Sequence, residues 1–246
     1  MSNVNVAFIP ARKGSVRLKN KNIINLAGHP LIAYTIDVAV RSKKFNYIFC
    51  ITDSKKYQRI SNYYGCNFFP LRPKNTSGPV DPDYKWVKWA LKILDELDIR
   101  FNNFSILRPT SPFRTTRMIK SAFSSFNKND ADSIRAVERT KTHPGKIWIY
   151  KNHYLKPLLN RKLKNIPWHS SQYAALPIYY AQNASLEICK KESFKKSKSI
   201  TGNKILPFFT SGYEGFDINT KLDYDFAKLI MDKKKIRIKK KSFFNV

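Results

Sequence analysis

The chain has 246 residues, of which 42% are hydrophobic and 14% aromatic, and its formal net charge at pH 7 is +29. This composition excludes a disordered chain and favours one large α/β domain, with or without a small insertion. No apolar run reaches the roughly 20 residues that a membrane span needs, and "VNVAFIPA" is too short for a signal peptide. We therefore expect a cytoplasmic protein. The cysteines at 50, 66 and 189 are widely spaced and predict small buried hydrophobes, not disulfides or a metal site.

The charge favours anionic partners such as nucleotides, nucleic acids, acidic sugars or membrane surfaces. The basic residues are spread along the chain, however, and only the C-terminal "KKKIRIKKK" forms a cluster. Because an AT-rich genome would also enrich lysine, the charge alone is weak support for nucleic-acid binding.

Strands and helices alternate from residue 4 to residue 137. Short apolar runs predict strands at Asn5–Pro10, Tyr47–Thr52, Asn67–Leu71, Asn103–Leu107 and Ala131–Val137. Apolar residues at helical spacing predict helices at Leu31–Val40, Lys55–Tyr64, Pro82–Asp98 and Thr116–Phe126. This order is typical of a mostly parallel sheet with helices on both faces, where ligands bind beyond the carboxyl ends of the strands.

The alternation stops in a proline-rich stretch and then resumes with "YYAQNASLEIC", "ILPFFT" and "FDINTKLDYDFAKLIM". We therefore expect one α/β domain formed by residues 1–138 and 179–246, and an insertion formed by residues 139–178. His169, in "PWHSSQY" of the insertion, either touches substrate across a dimer or has a packing role.

The loop after the first strand, in "FIPARKGSVRLKNKN", carries the first candidate site. It is neither a G-x-G-x-x-G nor a Walker A sequence, but Gly14-Ser15 allows a tight turn whose N–H groups can face an anion. Five cations surround this turn: Arg12, Lys13, Arg17, Lys19 and Lys21. The loop therefore predicts phosphate binding, and a solvated basic loop is the alternative.

Two further stretches carry candidate chemistry. In "FDIN", Asp217 and Asn219 share one side of an extended segment and could bind one Mg²⁺ through their oxygens; alternatively, Asn219 or Thr220 caps the following helix. In "LRPTSPFR", two prolines fix a rigid turn between Arg108 and Arg114. That turn either positions side chains or only ends the strand.

Together these stretches resemble the acylneuraminate cytidylyltransferase family, the enzymes that make CMP-activated sialic-type sugars. "IPARKGSVRLKNKN" is similar to its I-P-A-R-G-G-S-K-R-I-P-x-K-N signature, "LRPTSPFRT" to its L-Q-P-T-S-P-L-R-T segment and "FDINTKLDYDFA" to its D-I-D-T-x-E-D-x-x-x-A ending. "LRPKNTSG…WVKWAL" also fits its R-P-x-x-x…A-L region. The stretches occur in the family's order and span residues 8–227.

The resemblance implies a Rossmann-like, three-layer nucleotide-diphosphosugar transferase fold, with a mostly parallel sheet and a small insertion that pairs two subunits. It implies that CTP and an acidic nine-carbon (nonulosonic) sugar react to give a CMP-sugar for surface glycan synthesis and pyrophosphate. Mg²⁺ or Mn²⁺ would assist, a homodimer is expected, and a nucleic-acid partner is not.

The resemblance also implies roles for individual residues. The nucleotide would be bound by Ala11, Arg12, Gly14, Ser15, Arg17, Lys21 and Arg72. The sugar would be bound by Arg108, Lys146, Gln182 and Asn183. Catalysis would depend on Arg12, Lys21 and Asp217, and the metal would be bound by Asp217 and Asn219.

The chain departs from the family pattern at several positions. Val16 replaces a lysine of the loop, Asn219 replaces the second acidic metal ligand, and Arg108 replaces the glutamine before P-T-S-P. Our hypothesis is that Arg108 grips the sugar carboxylate, because a guanidinium can do so through two hydrogen bonds. Two alternatives to the enzyme are a basic nucleic-acid-binding protein and a degenerate family member without transfer activity.

Overall fold

The computed structural model describes residues 4–15, 17–78 and 80–245, so Val16 lies outside the described residues. The α-helices are α1 (Leu31–Ser42), α2 (Lys55–Tyr64), α3 (Asp83–Glu96), α4 (Thr116–Lys128), α5 (Lys191–Ser197) and α6 (Lys221–Lys234). The strands are β1 (Asn5–Pro10), β2 (Asn25–Leu26), β3 (His29–Pro30), β4 (Tyr47–Ile51), β5 (Asn103–Ile106), β6 (Ser133–Arg139), β7 (Trp148–Lys151), β8 (Tyr154–Pro157), β9 (Lys162–Leu163), β10 (Ile166–Pro167), β11 (Tyr180–Lys190) and β12 (Ile205–Phe209). Short 3₁₀ helices lie at Lys21–Ile23, Lys74–Thr76, Pro144–Lys146, Trp168–Ser170, Tyr173–Ala175 and Phe243–Asn245.

A six-stranded sheet in the order β12-β6-β11-β5-β1-β4 forms the centre of the fold. β4, β1 and β5 run parallel, whereas β11 runs antiparallel to β5. The parallel strands β1 and β5 therefore end at the same edge of the sheet, and the loops that follow them lie together.

Helices cover both faces of this sheet, as predicted. On one face Ala7 and Ile9 of β1 pack in a core with α1, α2, α4 and α6. On the other face Val6 and Phe8 pack with α3 and α5. Because successive strand side chains point to opposite faces, a strand between two helical layers is apolar throughout, which explains the continuous apolar run of β1.

Most predicted elements are confirmed, and α2 ends as expected at Gly65 in the left-handed conformation. The strand predicted at residues 67–71 is wrong. Only Asn67 forms a bridge, with Phe49 of β4, and the backbone next returns to this edge where Arg72 N donates to Thr52 O at 2.8 Å. Pro70 lies between these contacts and has no N–H to donate, so a continuous ladder cannot form.

The chain separates into two compact units, residues 1–136 with 183–246, and residues 137–182. The smaller unit contains the β7–β8 and β9–β10 hairpins. Its interior is aromatic: the buried His143 ring makes edge contacts with Trp168, Tyr173 and Tyr179 at centroid distances of 5.5, 5.8 and 5.0 Å. A Cβ at Gly145 would lie 2.8 Å from Cβ of Trp168, so glycine is needed at this close approach.

The end of the basic C-terminal cluster is tied down onto the larger unit. Lys240 Nζ donates to Tyr63 O and lies 4.4 Å from the centre of the Tyr63 ring. Ser242 Oγ donates to Gly28 O, and Phe243 N donates to Tyr64 Oη at 3.0 Å. We call residues 236–244 the C-terminal strap. Among the described residues, no helix has the length and apolar character needed to cross a bilayer.

Candidate active site

A cavity of about 490 Å³ opens beyond the carboxyl ends of β1 and β5. Eight of the residues predicted from the sequence line it: Arg12, Ser15, Arg17, Lys21, Arg72, Arg108, Asp217 and Asn219. They come from the loop after β1, the segment before α3, the turn after β5 and the segment before α6. The fold thus brings together the three motifs that lie far apart in the sequence.

The loop after β1 is held in place by its neighbours. Lys13 N donates to Asp53 Oδ1 at 2.6 Å, and Asn22 Nδ2 donates to Arg12 O at 3.2 Å. Gly14 has φ +84°, a backbone conformation that favours glycine, although a Cβ there would meet no other atom. Ala11 is fully buried, and its N donates to Ile51 O at 3.0 Å. Ala11 and Gly14 therefore shape the loop, whereas the lining comes from its polar side chains.

Asn219 is the centre of a polar cluster inside the cavity. Its Oδ1 accepts hydrogen bonds from Arg17 Nη2 at 2.9 Å and from Lys21 Nζ at 3.1 Å. Its Nδ2 donates to Asp217 Oδ2 at 2.6 Å. Asp217 Oδ1 is buried and has no hydrogen-bond partner among the described residues. A buried, unpartnered carboxylate oxygen beside a cavity is suited to receive a cation.

The sequence left open whether Asn219 or Thr220 caps the helix α6. Thr220 is the N-cap of α6, and Asp223 completes its capping box. Asn219 is therefore not the cap, and its side chain belongs to the cavity.

Lys21 is partly buried beside this cluster. Burial lowers the pKa of its amine, and the positive charge of Arg17 acts in the same direction. The carboxylate of Asp217 opposes this effect. Because Lys21 is only partly compensated by the protein, an anionic ligand in the cavity would be a favourable partner for it.

Arg72 lies nearly fully buried at another wall of the cavity. Its Nε donates to Thr76 Oγ1 at 3.3 Å, and its Nη2 donates to Thr76 O. The guanidinium carbon lies 5.8 Å from the centre of the Trp86 ring. Burial lowers the pKa of Arg72, and Asp53 and Asp83 oppose the shift. The side chain is therefore fixed before any ligand binds.

Arg108 lines the cavity, but it is already paired with two carboxylates. Its Nη2 donates to Glu187 Oε1 at 3.0 Å and to Asp83 Oδ2. Burial alone would raise the pKa of Asp83, but the charge and hydrogen bond of Arg108 outweigh it and that pKa is lowered. Our sequence analysis missed both acidic partners. Asp83 carried one usable signal, its place at the start of the helix predicted at Pro82–Asp98, and Glu187 carried none.

Arg114 is also held by the protein. Its Nη1 donates to Thr35 Oγ1 at 3.0 Å, its Nη2 to Arg108 O at 3.1 Å and its Nε to Ser185 O. Burial lowers the pKa of Arg114 to about 9. Arg114 thus connects the rigid turn of "LRPTSPFR" to α1 and β11 by hydrogen bonds.

The remaining predicted sugar-binding residues lie in different units. Asn183, in the larger unit, donates from Nδ2 to Thr210 Oγ1 at 2.8 Å and accepts at Oδ1 from Ser185 Oγ at 2.7 Å. Lys146 and Gln182 belong to the smaller unit. There Lys146 Nζ donates to the carbonyl oxygens of Ser171 at 2.8 Å and His169 at 3.2 Å. The His169 ring packs at 4.7 Å on Trp148.

The architecture is shared with a solved synthetase. A CMP:2-keto-3-deoxy-manno-octonic acid synthetase solved in complex with CTP superposes with a TM-score of 0.67, over 94% of this chain and 99% of that chain, at 11% identity. At this identity the likeness shows the fold alone. It is an α/β fold with a mainly parallel central sheet, as predicted from the sequence.

The chain belongs to the cytidylyltransferase family, whose sequence model matches residues 6–208. It is 29% identical to an N-acylneuraminate cytidylyltransferase from Escherichia coli over 93% of this chain, but spans only 52% of that protein. It is also 29% identical to a CMP-N,N'-diacetyllegionaminic acid synthase from Legionella pneumophila, over 92% of this chain and 96% of that protein. The chain thus spans about half the length of the first relative and nearly all of the second.

Proposed function

We propose that this chain transfers the cytidylyl group of CTP to an acidic nine-carbon sugar and releases pyrophosphate. The observation that carries the proposal is the cavity, which gathers the cationic loop after β1, Arg72 and the Asp217–Asn219 pair. The names of the two curated relatives support CTP as the donor and a sialic- or legionaminic-type acid as the acceptor.

In this reaction the anomeric hydroxyl of the sugar attacks the α-phosphorus of CTP. A new bond forms between that oxygen and phosphorus, the bond from phosphorus to the bridging oxygen breaks, and pyrophosphate leaves with the electron pair. The hydroxyl proton is released. Catalysis of this kind depends mainly on positioning and on stabilising negative charge.

The cationic side chains of the loop have matching tasks. Arg12, Arg17 and Lys21 would bind the triphosphate together with Ser15 and the backbone around Gly14, and they would stabilise the charge that develops on pyrophosphate. Arg72 would face the base. Asn183 would contact the sugar. Contacts of Gln182 and Lys146 with the sugar, and the cytoplasmic location expected from the sequence, stay predictions.

A divalent cation fits the chemistry of Asp217. The unpartnered Oδ1 offers a hard oxygen ligand, the type that Mg²⁺ and Mn²⁺ prefer. Among the described residues no three His, Cys, Asp or Glu side chains could hold a metal together, so phosphate and water oxygens would complete the coordination. Asn219 Oδ1 would have to leave Arg17 or Lys21 to join them. When bound, the cation would neutralise charge on the phosphates.

We also propose a homodimer formed through the smaller unit. The β7–β8 hairpin exposes apolar side chains on a small antiparallel ribbon, which is an unfavourable surface to leave in water. These residues are Trp148, Ile149, Tyr150, Tyr154 and Leu155.

The deciding experiment measures pyrophosphate release with CTP, Mg²⁺ and a panel of sialic, legionaminic and pseudaminic acids, with ATP, GTP and UTP as controls. We expect release with CTP and one acid. CTP binding without release would favour a degenerate member or an untested acid. Absence of CTP binding would refute the assignment of the loop after β1.

A further inference from the structure

A series of paired side chains runs from the central sheet to the cavity wall. Glu187 on β11 joins two arginines: Oε1 accepts from Arg108 Nη2 at 3.0 Å, and Oε2 accepts from Arg135 Nη1 of β6. Arg108 Nη2 also donates to Asp83 Oδ2 at the start of α3. Asp83 Oδ1 then accepts from Trp86 Nε1 at 2.7 Å.

Trp86 continues the series to Arg72. The guanidinium of Arg72 lies 5.8 Å from the centre of the Trp86 ring and donates hydrogen bonds to Thr76. Trp86 is 1% and Arg72 6% exposed. In close packing of this kind a displaced side chain moves its neighbours. A shift of Asp83 would therefore displace the Arg72 guanidinium.

The hydrogen bonds that Arg108 already makes leave it poorly suited to bind a substrate carboxylate through two nitrogens. A guanidinium binds a carboxylate with two hydrogen bonds either through Nε and Nη2 or through Nη1 and Nη2. Nη2, which has two hydrogens, takes part in both arrangements. Nη2 donates to Asp83 and Glu187. A substrate carboxylate could then receive only single hydrogen bonds, from Nε or Nη1.

The ion pairs within the series are balanced in charge. The carboxylates of Asp83 and Glu187 match the guanidinium groups of Arg108 and Arg135. Glu187 and Arg135 are buried, at 3% and 5% exposure. Removal of Glu187 would leave Arg135 as an uncompensated buried charge, so these pairs hold their side chains in one arrangement.

We propose that Arg108 is a positioning residue for the nucleotide: anchored by Glu187, it fixes Asp83 and Trp86 so that Arg72 is held at the position where it meets the base. This inference rests on the proposed function, because it takes CTP as the nucleotide. It replaces the hypothesis, drawn from the sequence, that Arg108 grips the sugar carboxylate.

The test compares CTP binding by calorimetry, without sugar, in wild-type protein and in Arg108→Gln and Asp83→Asn variants. Arg100→Gln is the matched control, because Arg100 is 91% exposed and its ion pair, with Asp98, is exposed as well. We expect the CTP Kd to rise about tenfold in both test variants and not in the control, as for the loss of a charged hydrogen bond. The KM for the acid sugar in Arg108→Gln should stay within about twofold of the wild type.

Arg108→Lys adds a readout that a general loss of structure would not give. A lysine presents one donor nitrogen with three hydrogens, so it can satisfy both carboxylates as Nη2 does, but it cannot grip a carboxylate through two nitrogens. We expect it to restore most of the CTP affinity.

An Arg108→Gln variant that binds CTP as the control does and raises only the KM for sugar would overturn the inference. If Arg108→Gln does not fold, as judged by circular dichroism, Asp83→Asn decides in the same way. Failure of the wild-type protein to bind CTP would overturn the proposed function as well, and this outcome is recognised before any variant is compared.

Discussion

Asp217 presents to the cavity a buried carboxylate oxygen that has no hydrogen-bond partner in the part of the chain that the structure describes. We expect Asp217→Asn to lower the rate of pyrophosphate release about a hundredfold or more and to raise the Mg²⁺ concentration for half-maximal rate, because an amide is a weaker ligand than a carboxylate. Asp225→Asn is the control, since Asp225 pairs with Lys221 and Lys228 on α6. Equal rates in both variants would remove Asp217 from the metal site.

Asn219 lies 2.6 Å from Asp217 and accepts from two cations. A carboxylate at this position would add a charged ligand to the proposed metal site. We therefore expect Asn219→Asp to lower the half-maximal Mg²⁺ concentration by about threefold to tenfold, measured by titration of the initial rate. An unchanged requirement for Mg²⁺ would show that residue 219 does not contact the ion.

Arg114 is 3% exposed and satisfies three acceptors on separate segments. A lysine cannot reach all three, so buried acceptors would lose their donors. We expect Arg114→Lys to lower the free energy of unfolding by about 2 to 4 kcal/mol in urea denaturation. Arg117→Lys, at an exposed position of α4, should change it by less than about 0.5 kcal/mol.

At the scale of elements, Tyr64 links the C-terminal strap to a histidine of the β2–β3 hairpin. Tyr64 Oη accepts from Phe243 N at 3.0 Å and lies 2.9 Å from His29 Nδ1. A neutral His29 ring can accept the tyrosine hydrogen at Nδ1, whereas a protonated ring cannot. Burial also lowers the pKa of His29 from its ordinary value of 6.5, although Asp37 opposes this.

This arrangement predicts a loss of stability in acid. The unfolded chain takes up a proton on His29 near pH 6.5, whereas the folded chain does so only at lower pH. The stabilisation is therefore complete above pH 6.5 and falls as the pH drops below it. We expect His29→Gln, whose amide oxygen accepts without titrating, to show a smaller fall in Tm between pH 8 and pH 5 than the wild type. The exposed His153→Gln serves as the control and should not change that fall.

At the scale of the whole molecule, the charge of +29 and the exposed hairpin act in opposite directions on association. Repulsion between two such chains weakens as salt screens it, whereas apolar burial does not depend on that screening. We expect sedimentation equilibrium to show a dimer whose dissociation constant falls as the salt concentration rises from about 0.05 to 0.5 M.

A substitution locates the interface. We expect Leu155→Glu, in the hairpin, to give a monomer, because a buried unpaired charge is costly. Leu222→Glu, at a 79% exposed position of α6, should remain dimeric. Monomeric wild-type protein, or a dimer unaffected by Leu155→Glu, would contradict the proposed interface.

The sequence by itself determined the elements whose signals are local. The apolar run of β1, the glycine that ends α2 and the loop after β1 needed only neighbouring residues to be recognised. The motifs also indicated the family, because they resemble its signatures and occur in its order.

Only the tertiary structure decided how distant side chains are paired. Asn219 lies 198 positions from Lys21, and Glu187 lies 79 positions from Arg108, yet each pair is in contact. The antiparallel direction of β11 and the missing strand at residues 67–71 likewise depended on neighbours elsewhere in the chain. A local pattern records what a residue prefers, but a charged side chain is stabilised by whichever partner the packed sheet brings beside it, and no local pattern specifies that partner.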